Sequence, residues 1–358
     1  MKVLFCVGSL RAEFGGPAYS VPRIADTLAR MGIDVGLWSR DQSAPDLRNL
    51  RTGFRGVYLR GSESDAIKKF GVPDILHDNG MWQPFHIKLA ALAKKNRINR
   101  VVSPRGMLEP WALKTKRVRK AVAWQLYQKG TLNSAALIHA TSIMEAENLF
   151  RLNLTTPIEV IPNGIDCPEL GRRLGENERV RKAIFVGRLT PKKGLLELIR
   201  AWSNSVVTGW ELVIAGPDEK GFRSEVEAEV SRLRVSSITL LGPVYGEQKE
   251  ALFAAADLFV FPSHSENFGL VVGEALSHGV PVLTTFGVPW EEVESKGCGW
   301  SVTADVPGIT AGLRAALRTD RRTLWEMGER GRRWMIRDFD WNWIGQRFVR
   351  AYSRLLSS

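Results

Sequence analysis

The fold is decided by the stretch Ser263-His264-Ser265-Glu266-Asn267-Phe268-Gly269-Leu270-Val271-Val272-Gly273-Glu274-Ala275-Leu276. An apolar run over Leu258–Pro262 precedes it and predicts a buried strand. An amphipathic run over Leu270–His278 follows, closed by a glycine and a proline, and predicts a helix. A strand, a short loop and a helix in this order are typical of an α/β protein with a parallel sheet.

Two carboxylates flank the loop of this stretch. Glu266 is expected at the carboxyl end of the strand, and Glu274 about one turn into the helix, facing the same crevice. The first amides of a helix have no partner within it and favour a phosphate group. The residues between the carboxylates that are predicted to bind a ligand are Asn267, Phe268, Gly269 and Leu270.

Length and composition point to two globular domains. At 358 residues the chain exceeds what one ordinary core holds. Its hydrophobic fraction of 44% and charged fraction of 25% are ordinary for a globular protein, and no apolar run approaches the roughly 18 residues that span a bilayer. Three scattered cysteines favour a reducing compartment over a disulfide framework or a zinc site.

Positive charge is concentrated in one segment. Residues 79–144 contain twelve basic side chains and a single acidic one, Glu109, which accounts for nearly the whole net charge of +12. A charge this local predicts an anionic partner, which is a membrane surface, a nucleic acid or a phosphorylated substrate.

The N-terminal residues predict a βαβ unit with a glycine-bearing first loop. Strands are predicted over Lys2–Val7 and Ile33–Trp38, with a helix over Val21–Met31 between them. Gly15 and Gly16 lie in the loop before that helix. Either they form a turn or they let the backbone approach a ligand phosphate closely.

Strands and helices alternate through the rest of the chain in two series. The linker between the series is predicted at residues 159–166, because a proline and Asn-Gly interrupt regular structure there. We therefore predict two Rossmann-like domains, an N-terminal one over residues 1–162 and a C-terminal one over residues 163–335. Residues 336–358 are predicted to form a tryptophan-rich helix that packs back on the N-terminal domain.

Three motifs, in this order along the chain, resemble the retaining family-4 glycosyltransferases of the GT-B fold. They are Ile161-Pro162-Asn163-Gly164-Ile165-Asp166, Val186-Gly187-Arg188-Leu189 with Lys193-Gly194, and Glu266 paired with Glu274. The segment Ser103-Pro104-Arg105-Gly106-Met107-Leu108-Glu109-Pro110-Trp111 is similar to a bacterial surface-polysaccharide and lipopolysaccharide branch of that family. The resemblance covers nearly the whole chain and implies two Rossmann-like domains whose parallel sheets face each other across a central cleft.

The resemblance implies a donor site in the C-terminal domain. Glu266 would contact the hydroxyls of the donor sugar and Glu274 those of the ribose, since a carboxylate accepts strong hydrogen bonds from a vicinal diol. Arg188 and Lys193 would grip the donor diphosphate and stabilise the leaving group without a metal, so these two residues and Glu266 are assigned to the catalytic residues. The other residues assigned to donor binding are Gly15, Gly16, Arg105, Gly187, Asn267, Phe268, Gly269, Leu270, Glu274 and Val244.

The N-terminal domain offers two further polar positions. Related enzymes often carry a second histidine two residues after the first, and here that position is Asn79, following His77. Asn79 is therefore assigned to the catalytic residues, as a neutral hydrogen-bonding group near the reacting sugar. His77 is either a contact of that sugar or a satisfied buried residue. Arg105 is either a phosphate contact or part of a structural ion pair.

The segment Trp111–Lys129 is predicted to be a helix with two faces. The apolar face, which should pack inward, comprises Val118, Ala121, Val122 and Leu126. The basic face is predicted to meet the acceptor or an anionic membrane, with a solvated face as the alternative. Its residues are Lys116, Arg117, Lys120, Trp124 and Tyr127, of which the first four are assigned to the membrane or the acceptor. No nucleic acid is expected as a partner, because no RNA- or DNA-binding motif accompanies the charge.

The resemblance, taken with the basic N-terminal segment, implies a retaining hexosyltransferase in bacterial polysaccharide synthesis. Its C-terminal domain would bind a UDP- or GDP-linked sugar, and its N-terminal domain would bind a lipid-linked glycan acceptor. We expect the enzyme in the cytoplasm, peripheral to the inner face of the membrane. No cofactor or metal is expected, because the single D-x-D, at Asp338–Asp340, is interpreted as a helix cap. The alternatives are a GT-B nucleotide-sugar epimerase or hydrolase, and a non-catalytic basic protein that binds membrane or nucleic acid.

Overall fold

A computed structural model of the chain describes residues 1–11, 14–45, 53–169, 180–205 and 208–357. The chain divides into two compact units. Unit 1 comprises Met1–Gly164 and Trp341–Ser358, and unit 2 comprises Ile165–Asp340. These boundaries follow residues 164 and 340, whereas the sequence placed them after residues 162 and 335.

Unit 1 is built on a parallel sheet. Its strands are β1 Lys2–Val7, β2 Asp34–Ser39, β3 Val57–Leu59, β4 Ile75–Asn79, β5 Asn99–Ser103, β6 Leu137–Ala140 and β7 Ile158–Val160. They pair in the order β3-β2-β1-β4-β5-β6-β7. The helices between them are α1 Gly16–Arg30, α2 Glu63–Phe70, α3 Pro84–Lys95, α4 Pro110–Lys114, α5 Arg117–Ala123, α6 Lys129–Asn133 and α7 Ile143–Phe150, with a π-helical turn, Trp124–Gln128, between α5 and α6.

The local sequence explains these elements. Strand β1 is apolar after its first residue and buried throughout Val3–Val7, as expected where helices cover both faces of a parallel sheet. Helix α1 begins at Gly16, earlier than the predicted Val21, and Pro17 occupies its first turn, where a missing N–H costs nothing. Helix α2 begins with a capping box between Ser62 and Asp65.

Unit 2 repeats this architecture. Its strands are β8 Arg181–Val186, β9 Trp210–Ala215, β10 Ile238–Gly242, β11 Leu258–Phe261, β12 Val282–Thr285 and β13 Gly299–Val302, in the order β10-β9-β8-β11-β12-β13 and all parallel. Its helices are α8 Leu195–Ser205, α9 Phe222–Leu233, α10 Glu247–Ala255, α11 Leu270–Ser277, α12 Val306–Arg318 and α13 Arg321–Asp338. Two short 3-10 turns span Pro191–Lys193 and Glu291–Val293.

The last helix, α14 Trp341–Ser357, belongs to unit 1. It packs on α1, where a Cβ added to Gly345 would lie 2.8 Å from the side chains of both Thr27 and Met31. A glycine at this position therefore allows the two helices to approach closely. On the same helix, Tyr352 is fully buried in the core of unit 1.

The strand orders locate the crevice of each sheet. In unit 1 the order reverses between β1 and β4, and in unit 2 it reverses between β8 and β11. Ligands of open parallel sheets bind outside the carboxyl ends of the strands at such a switch point. The loops that follow β1 and β4, and those that follow β8 and β11, are therefore where the fold favours a site.

The predicted fold class, an α/β protein with two parallel-sheet Rossmann-like halves, is confirmed. Three short strands, β3, β7 and β13, were not predicted, and β7 occupies part of the predicted linker. Strands β3 and β7 have only three residues each, and the four residues of β13 include a glycine and a serine, so none of them forms an apolar run that is recognisable from sequence. Within the described part of the chain, no helix is both long enough and apolar enough to cross a membrane.

Candidate functional site

Two loops meet at the switch point of unit 2. One follows β8 and ends at Gly194, and the other follows β11 and begins at Pro262. Gly194 has φ +67°, and a Cβ there would lie 2.2 Å from the carbonyl oxygen of Pro262. The backbone N–H of His264 donates to the carbonyl of Lys192 at 2.9 Å. Only a glycine permits this approach, which places the side chains of the two loops side by side.

The contact between these loops is an ion pair. Lys193 Nζ lies 2.6 Å from Glu266 Oε1, and both side chains are about one-seventh exposed. Ser263 Oγ donates to the same carboxylate oxygen at 2.7 Å, and Lys193 Nζ lies 4.6 Å from the centre of the Phe261 ring. The structure thus joins two of the predicted catalytic residues directly.

Glu266 is ionised in this setting. Burial opposes its ionisation, but the nearby charges of Lys193 and Lys192 and the hydrogen bonds from Lys193 and Ser263 hold the pKa of Glu266 below its usual value. A carboxylate kept charged in a partly dry site accepts strong hydrogen bonds from hydroxyl groups. A neighbouring ammonium group can attract phosphate oxygens at the same place.

The turn that was predicted to bind phosphate is held by a hydrogen bond and by ring packing from Trp290. Gly269 has φ +72° and precedes the first residue of α11. Trp290 Nε1 donates to the carbonyl of Phe268 at 2.6 Å, and the two rings pack 5.2 Å apart. Phe268 is buried, while Asn267 and Leu270 are half-buried. The first amides of α11 are therefore held in a fixed position at the switch point.

Glu274 has a partner that the sequence did not reveal. Lys249 Nζ, from α10, lies 2.7 Å and 2.6 Å from the two carboxylate oxygens of Glu274. Both side chains are less than one-third exposed. Lys249 thereby orients Glu274 and neutralises its charge.

Arg188 does not join the pair formed by Lys193 and Glu266. Its guanidinium lies 2.8 Å from Glu219 Oε2, and both side chains are more than one-third exposed. The preceding Gly187 is fixed by its N–H, which donates to Ala215 at 3.0 Å. Val244 is half-buried against the core of unit 2. The two cations predicted to grip a diphosphate therefore have separate partners, because Lys193 pairs with Glu266 and Arg188 pairs with Glu219 on the neighbouring loop.

In unit 1, Asn79 and Arg105 contact each other. Arg105 Nε and one terminal nitrogen donate to Asn79 Oδ1 at 3.1 Å and 2.7 Å, and the other terminal nitrogen donates to Asn163 Oδ1 at 3.0 Å. The amide nitrogen of Asn79 donates to the carbonyls of Cys6 and His77. Asn79 is buried and orients Arg105, so its observed contacts differ from the predicted contact with a sugar.

His77 belongs to a buried chain of hydrogen bonds. His139 Nε2 lies 2.7 Å from the carbonyl of Ile161 and must donate to it. Ser103 Oγ therefore donates to His139 Nδ1 at 2.7 Å and accepts from His77 Nε2 at 2.6 Å. Tyr352 completes the chain by donating to His77 Nδ1 at 2.5 Å. Both ring nitrogens of His77 are thus satisfied, which favours the structural interpretation of this residue.

The titratable side chains of this hydrogen-bond chain are uncharged. Burial, followed by the charges of His139 and Arg105, holds the pKa of His77 well below its usual value. Burial likewise lowers the pKa of His139 to about 3 and raises that of Tyr352 well above its usual value. The chain is therefore neutral at physiological pH and links α14 to β4, β5 and β6.

The glycine-bearing loop places Gly15 in open space. Gly15 has φ +85°, immediately before α1, and a Cβ there would meet no atom within 4 Å. Gly16 is the first residue of the helix. The conformation requires a glycine and leaves the helix N-terminus accessible, so both a turn and a close ligand approach remain compatible with this loop.

The predicted faces of the basic segment are wrong. Val118, Val122 and Leu126 were expected to pack inward, but they are 78%, 53% and 76% exposed. Three members of the predicted outer face lie inward instead. Trp124 packs against the core, Lys120 Nζ donates to the carbonyl of Ala112 at 2.6 Å, and Tyr127 is half-buried. The other two members, Lys116 and Arg117, are exposed.

The reason for this error is the interrupted helix. The segment contains α4, α5, a π-helical turn and α6 instead of one continuous helix. Its inward stripe comprises Lys120, Ala123, Trp124, Tyr127 and Gln128. Periodicity identifies which residues share a face, but it does not tell whether the apolar face meets the core.

Among the residues that the structure describes, no group of three or more His, Cys, Asp or Glu side chains could hold a metal ion. Three side chains that contact the candidate residues carried no sequence signal: Lys249, Glu219 and Glu145. Asn163 belongs to a motif quoted above, but its contact with Arg105 was not predicted. Glu145 accepts from the Gly106 N–H at 2.8 Å and so holds the loop that carries Arg105. Such partners are chosen by tertiary contact, and no motif marks these contacts.

Comparison with known proteins agrees with this geometry. The family described as Glycosyltransferase Family 4 matches residues 14–169, and the family described as Glycosyl transferases group 1 matches residues 168–334. The chain therefore belongs to the glycosyltransferases of family 4, with their paired domains. It is an enzyme of the GT-B fold.

Three relatives illustrate the similarity. The glycogen synthase of Mycobacterium tuberculosis is 28% identical over 303 residues, which cover 80% of this chain and 71% of the relative. The solved structure of HepE from Anabaena with UDP and glucose has a TM-score of 0.78 at 20% identity and covers 99% of this chain and 100% of that chain. WaaG, a glycosyltransferase involved in lipopolysaccharide biosynthesis, has a TM-score of 0.69 at 19% identity, with 99% of this chain and 100% of that chain covered. Two further curated relatives are matched over only 36% and 34% of their own length.

Proposed function

We propose that this enzyme transfers a hexose from a nucleoside-diphosphate sugar to a hydroxyl of a glycan, with retention of the anomeric configuration. The observation that carries the proposal is the partly buried pair of Lys193 and Glu266 at the switch point of unit 2. It offers an anion acceptor for sugar hydroxyls beside a cation for phosphate oxygens. The binding of UDP by the structurally similar HepE supports a nucleotide-sugar as the donor.

In the proposed reaction the bond between the anomeric carbon and the diphosphate oxygen breaks, and the nucleoside diphosphate leaves with the electron pair. The acceptor hydroxyl oxygen then bonds to the anomeric carbon from the same face, and its proton passes to the leaving phosphate. Charge grows on the leaving group as this occurs. In this proposal Lys193 and the first amides of α11 stabilise that charge, and Arg188 adds a second cation by exchanging Glu219 for phosphate.

The donor can be identified by ligand-dependent stability. A ligand that binds only the folded state raises the melting temperature, so UDP, GDP and their sugars should be screened by thermal shift. We expect one nucleoside diphosphate to stabilise the wild type and to lose this effect in Lys193→Gln. If no nucleotide stabilises the protein, the donor assignment is wrong. Retention of activity in EDTA would support the proposed independence from metal ions.

The epimerase or hydrolase alternative predicts a different dependence on acceptor. A transferase consumes its donor slowly when no acceptor is present, whereas a hydrolase or an epimerase turns it over rapidly. The product distribution after incubation with the donor alone therefore separates the two. A non-catalytic binding protein would show neither turnover nor loss of cellular function in Glu266→Ala.

We further propose that the acceptor is a lipid-linked glycan of a bacterial polysaccharide pathway, at the inner face of the membrane. The structural similarity to WaaG and the sequence around Arg105 support this role. The exposed stripe of Val118, Val122 and Leu126 is flanked by the exposed Arg117 and Arg119. An apolar stripe bordered by basic side chains is suited to an anionic bilayer surface.

Vesicle binding tests this surface. The double change Val118→Ser and Leu126→Ser should weaken binding to anionic vesicles by about tenfold, because both apolar contacts with the acyl region are lost. The matched control is Val72→Ser, a similarly exposed valine of unit 1 (58%) outside the stripe. Equal binding by all three proteins, or binding that ignores the anionic lipid content, would remove the membrane from the proposal.

A further inference from the structure

The guanidinium of Arg105 is held entirely by neutral groups. Its three hydrogen bonds go to the side-chain oxygens of Asn79 and Asn163, at 2.7–3.1 Å. Among the described residues, no carboxylate oxygen lies within the 4.0 Å of an ion pair with Arg105. Arg100, which follows the common pattern for a buried arginine, lies 2.7 Å from Asp78.

The carboxylate of Glu145, which acts on Arg105 electrostatically, does not form an ion pair with it. Glu145 spends one carboxylate oxygen on the Gly106 N–H and the other on the N–H and hydroxyl of Thr141, at 2.7–2.9 Å. Burial raises the pKa of Glu145. Burial also lowers the pKa of Arg105, to about 10, so the guanidinium remains charged at neutral pH.

The backbone at Arg105 is also unusual, because it adopts a strained conformation. Arg105 has φ +56° and Gly106 has φ +75°, so two consecutive residues adopt the left-handed conformation. For a residue with a side chain this costs about 1–2 kcal/mol. Such strain persists where the surroundings force it, and the forcing contact here is the bond from Gly106 to Glu145. The loop is therefore built to present the guanidinium in one orientation.

Two N–H groups of Arg105 are not used in its hydrogen bonds to the asparagines. A guanidinium has five N–H donors, and Arg105 uses three of them on the two asparagines. An amide oxygen orients a guanidinium without cancelling its charge, whereas a carboxylate does both. Two remaining donors on an oriented, un-neutralised cation match the two oxygens of a phosphoryl group.

We propose that Arg105, oriented by Asn79 and Asn163, forms a phosphoryl-binding subsite in unit 1. The proposal rests on the transferase function above, whose donor carries a diphosphate and whose lipid-linked acceptor carries a phosphoryl group of its own. Asn163 is a positioning residue in this subsite. Its neutrality is the property that keeps Arg105 available for an anion.

The decisive variant is Asn163→Asp. The introduced carboxylate accepts the same hydrogen bond from Arg105, so the fold is retained, and the melting temperature stays equal or rises. It also neutralises Arg105 and repels a phosphoryl group, so affinity for inorganic phosphate or pyrophosphate at this loop should fall at least about tenfold. Asn153→Asp, at an exposed turn of the same unit, is the control for the change of net charge.

Hydrogen exchange of peptides that cover Ser103–Trp111 gives the local readout in the full chain. Phosphate or pyrophosphate should slow exchange there in the wild type and in Asn153→Asp, but not in Asn163→Asp or Arg105→Gln. A purely structural Arg105 predicts a stabilised Asn163→Asp protein with no effect of phosphate on this loop in any variant. That result, or equal protection in the wild type and Asn163→Asp, would overturn the proposal.

Two further arms identify the source of the phosphoryl group. Protection of the loop by UDP or GDP assigns the subsite to the donor, whereas protection by an alkyl diphosphate but not by a nucleotide assigns it to the acceptor. Either result supports the subsite. Because inorganic phosphate needs no turnover, the subsite can fail while transfer is still observed, and the transferase proposal can fail while phosphate still protects the loop.

Discussion

The two units present their cations in opposite ways. In unit 2, Lys193 and Lys249 each lie 2.6 Å from a carboxylate oxygen, of Glu266 and Glu274 respectively. In unit 1, Arg105 is held by two asparagine side chains alone. A carboxylate-paired cation is neutralised before any ligand arrives, whereas an amide-held cation keeps its full charge.

This difference teaches what each unit is suited to bind. An ion pair suits a ligand that carries both kinds of group, because hydroxyls replace the lysine at the carboxylate while phosphate oxygens replace the carboxylate at the lysine. A sugar linked to a diphosphate is such a ligand. A lone oriented guanidinium suits a ligand that presents only an anion.

The largest effect on the transferase rate is expected when the ion pair between Lys193 and Glu266 is broken. Glu266→Gln keeps the size and one acceptor oxygen but removes the charge, so the transferase rate should fall about 100- to 1,000-fold. Steady-state kinetics with the identified donor measure it. Glu211→Gln, at the exposed ion pair with Lys182 in the same unit, should keep the wild-type rate. Near-normal activity of Glu266→Gln would show that the pair is only structural.

A second change tests whether the pair depends on the close approach of the two loops. Gly194→Ala forces a Cβ against the carbonyl of Pro262 and should destabilise the protein by about 2–4 kcal/mol, with loss of donor binding. Gly209→Ala shares the positive φ, +80°, but its Cβ would meet no atom within 4 Å. Its cost should be about 1 kcal/mol. Chemical denaturation compares the two, and equal losses would mean that the contact with Pro262 does not matter.

Acid should affect the two units at different pH. Burial depresses the folded-state pKa of His77 and His139, so below about pH 6.5 the unfolded chain binds protons that the folded chain does not. Above that pH the two neutral histidines cost the folded state nothing. As the pH falls below it, the free energy of unfolding decreases by about 1.4 kcal/mol per pH unit for each histidine. The raised pKa of Glu145 offsets part of this loss, since the folded state gains that proton first.

Glu266 behaves differently, because its depressed pKa preserves the ion pair until the pH falls below its unfolded value of 4.5 and towards the folded one. Between pH 6 and 5 the peptides of unit 1 should therefore lose protection from hydrogen exchange, while those around Lys193 and Glu266 retain it. Simultaneous loss in both regions over this range would contradict the assignment of the buried histidines as neutral.

The smallest effect is expected at the second pair of unit 2. Lys249→Gln removes the ammonium group that orients Glu274, and we expect the donor KM to rise by less than about tenfold with kcat unchanged. Lys296→Gln, at an exposed pair with Glu292, serves as the control. A fall in kcat instead would mean that Lys249 acts on the transition state.

Much of the architecture was predictable because local signals carry it. Buried apolar runs such as β1 and β11 alternate with amphipathic segments, and this alternation predicts two parallel sheets. The same signals placed Glu266 after a strand and Glu274 inside a helix, as observed. Lys193 and Glu266 each belong to a motif that is visible in the sequence, and the structure adds their direct contact.

The rest depended on distant contacts. Lys249 and Asn163 acquire their roles from side chains 25 and 58 residues away in sequence. Arg188 pairs with Glu219 because those two loops adjoin at the ends of β8 and β9, and no motif announces this choice. The face of α5 was misjudged because its apolar residues were assumed to seek the core, whereas Val118 is largely exposed.

The central claim is that unit 2 binds a nucleoside diphosphate at its switch point. Hydrogen exchange of the full chain with and without UDP or GDP tests it most directly. We predict slowed exchange in peptides that cover residues 187–194 and Ser263–Leu276, and loss of that protection in Lys193→Gln. Protection that is absent from both segments at saturating concentrations of every nucleotide tested would contradict the account.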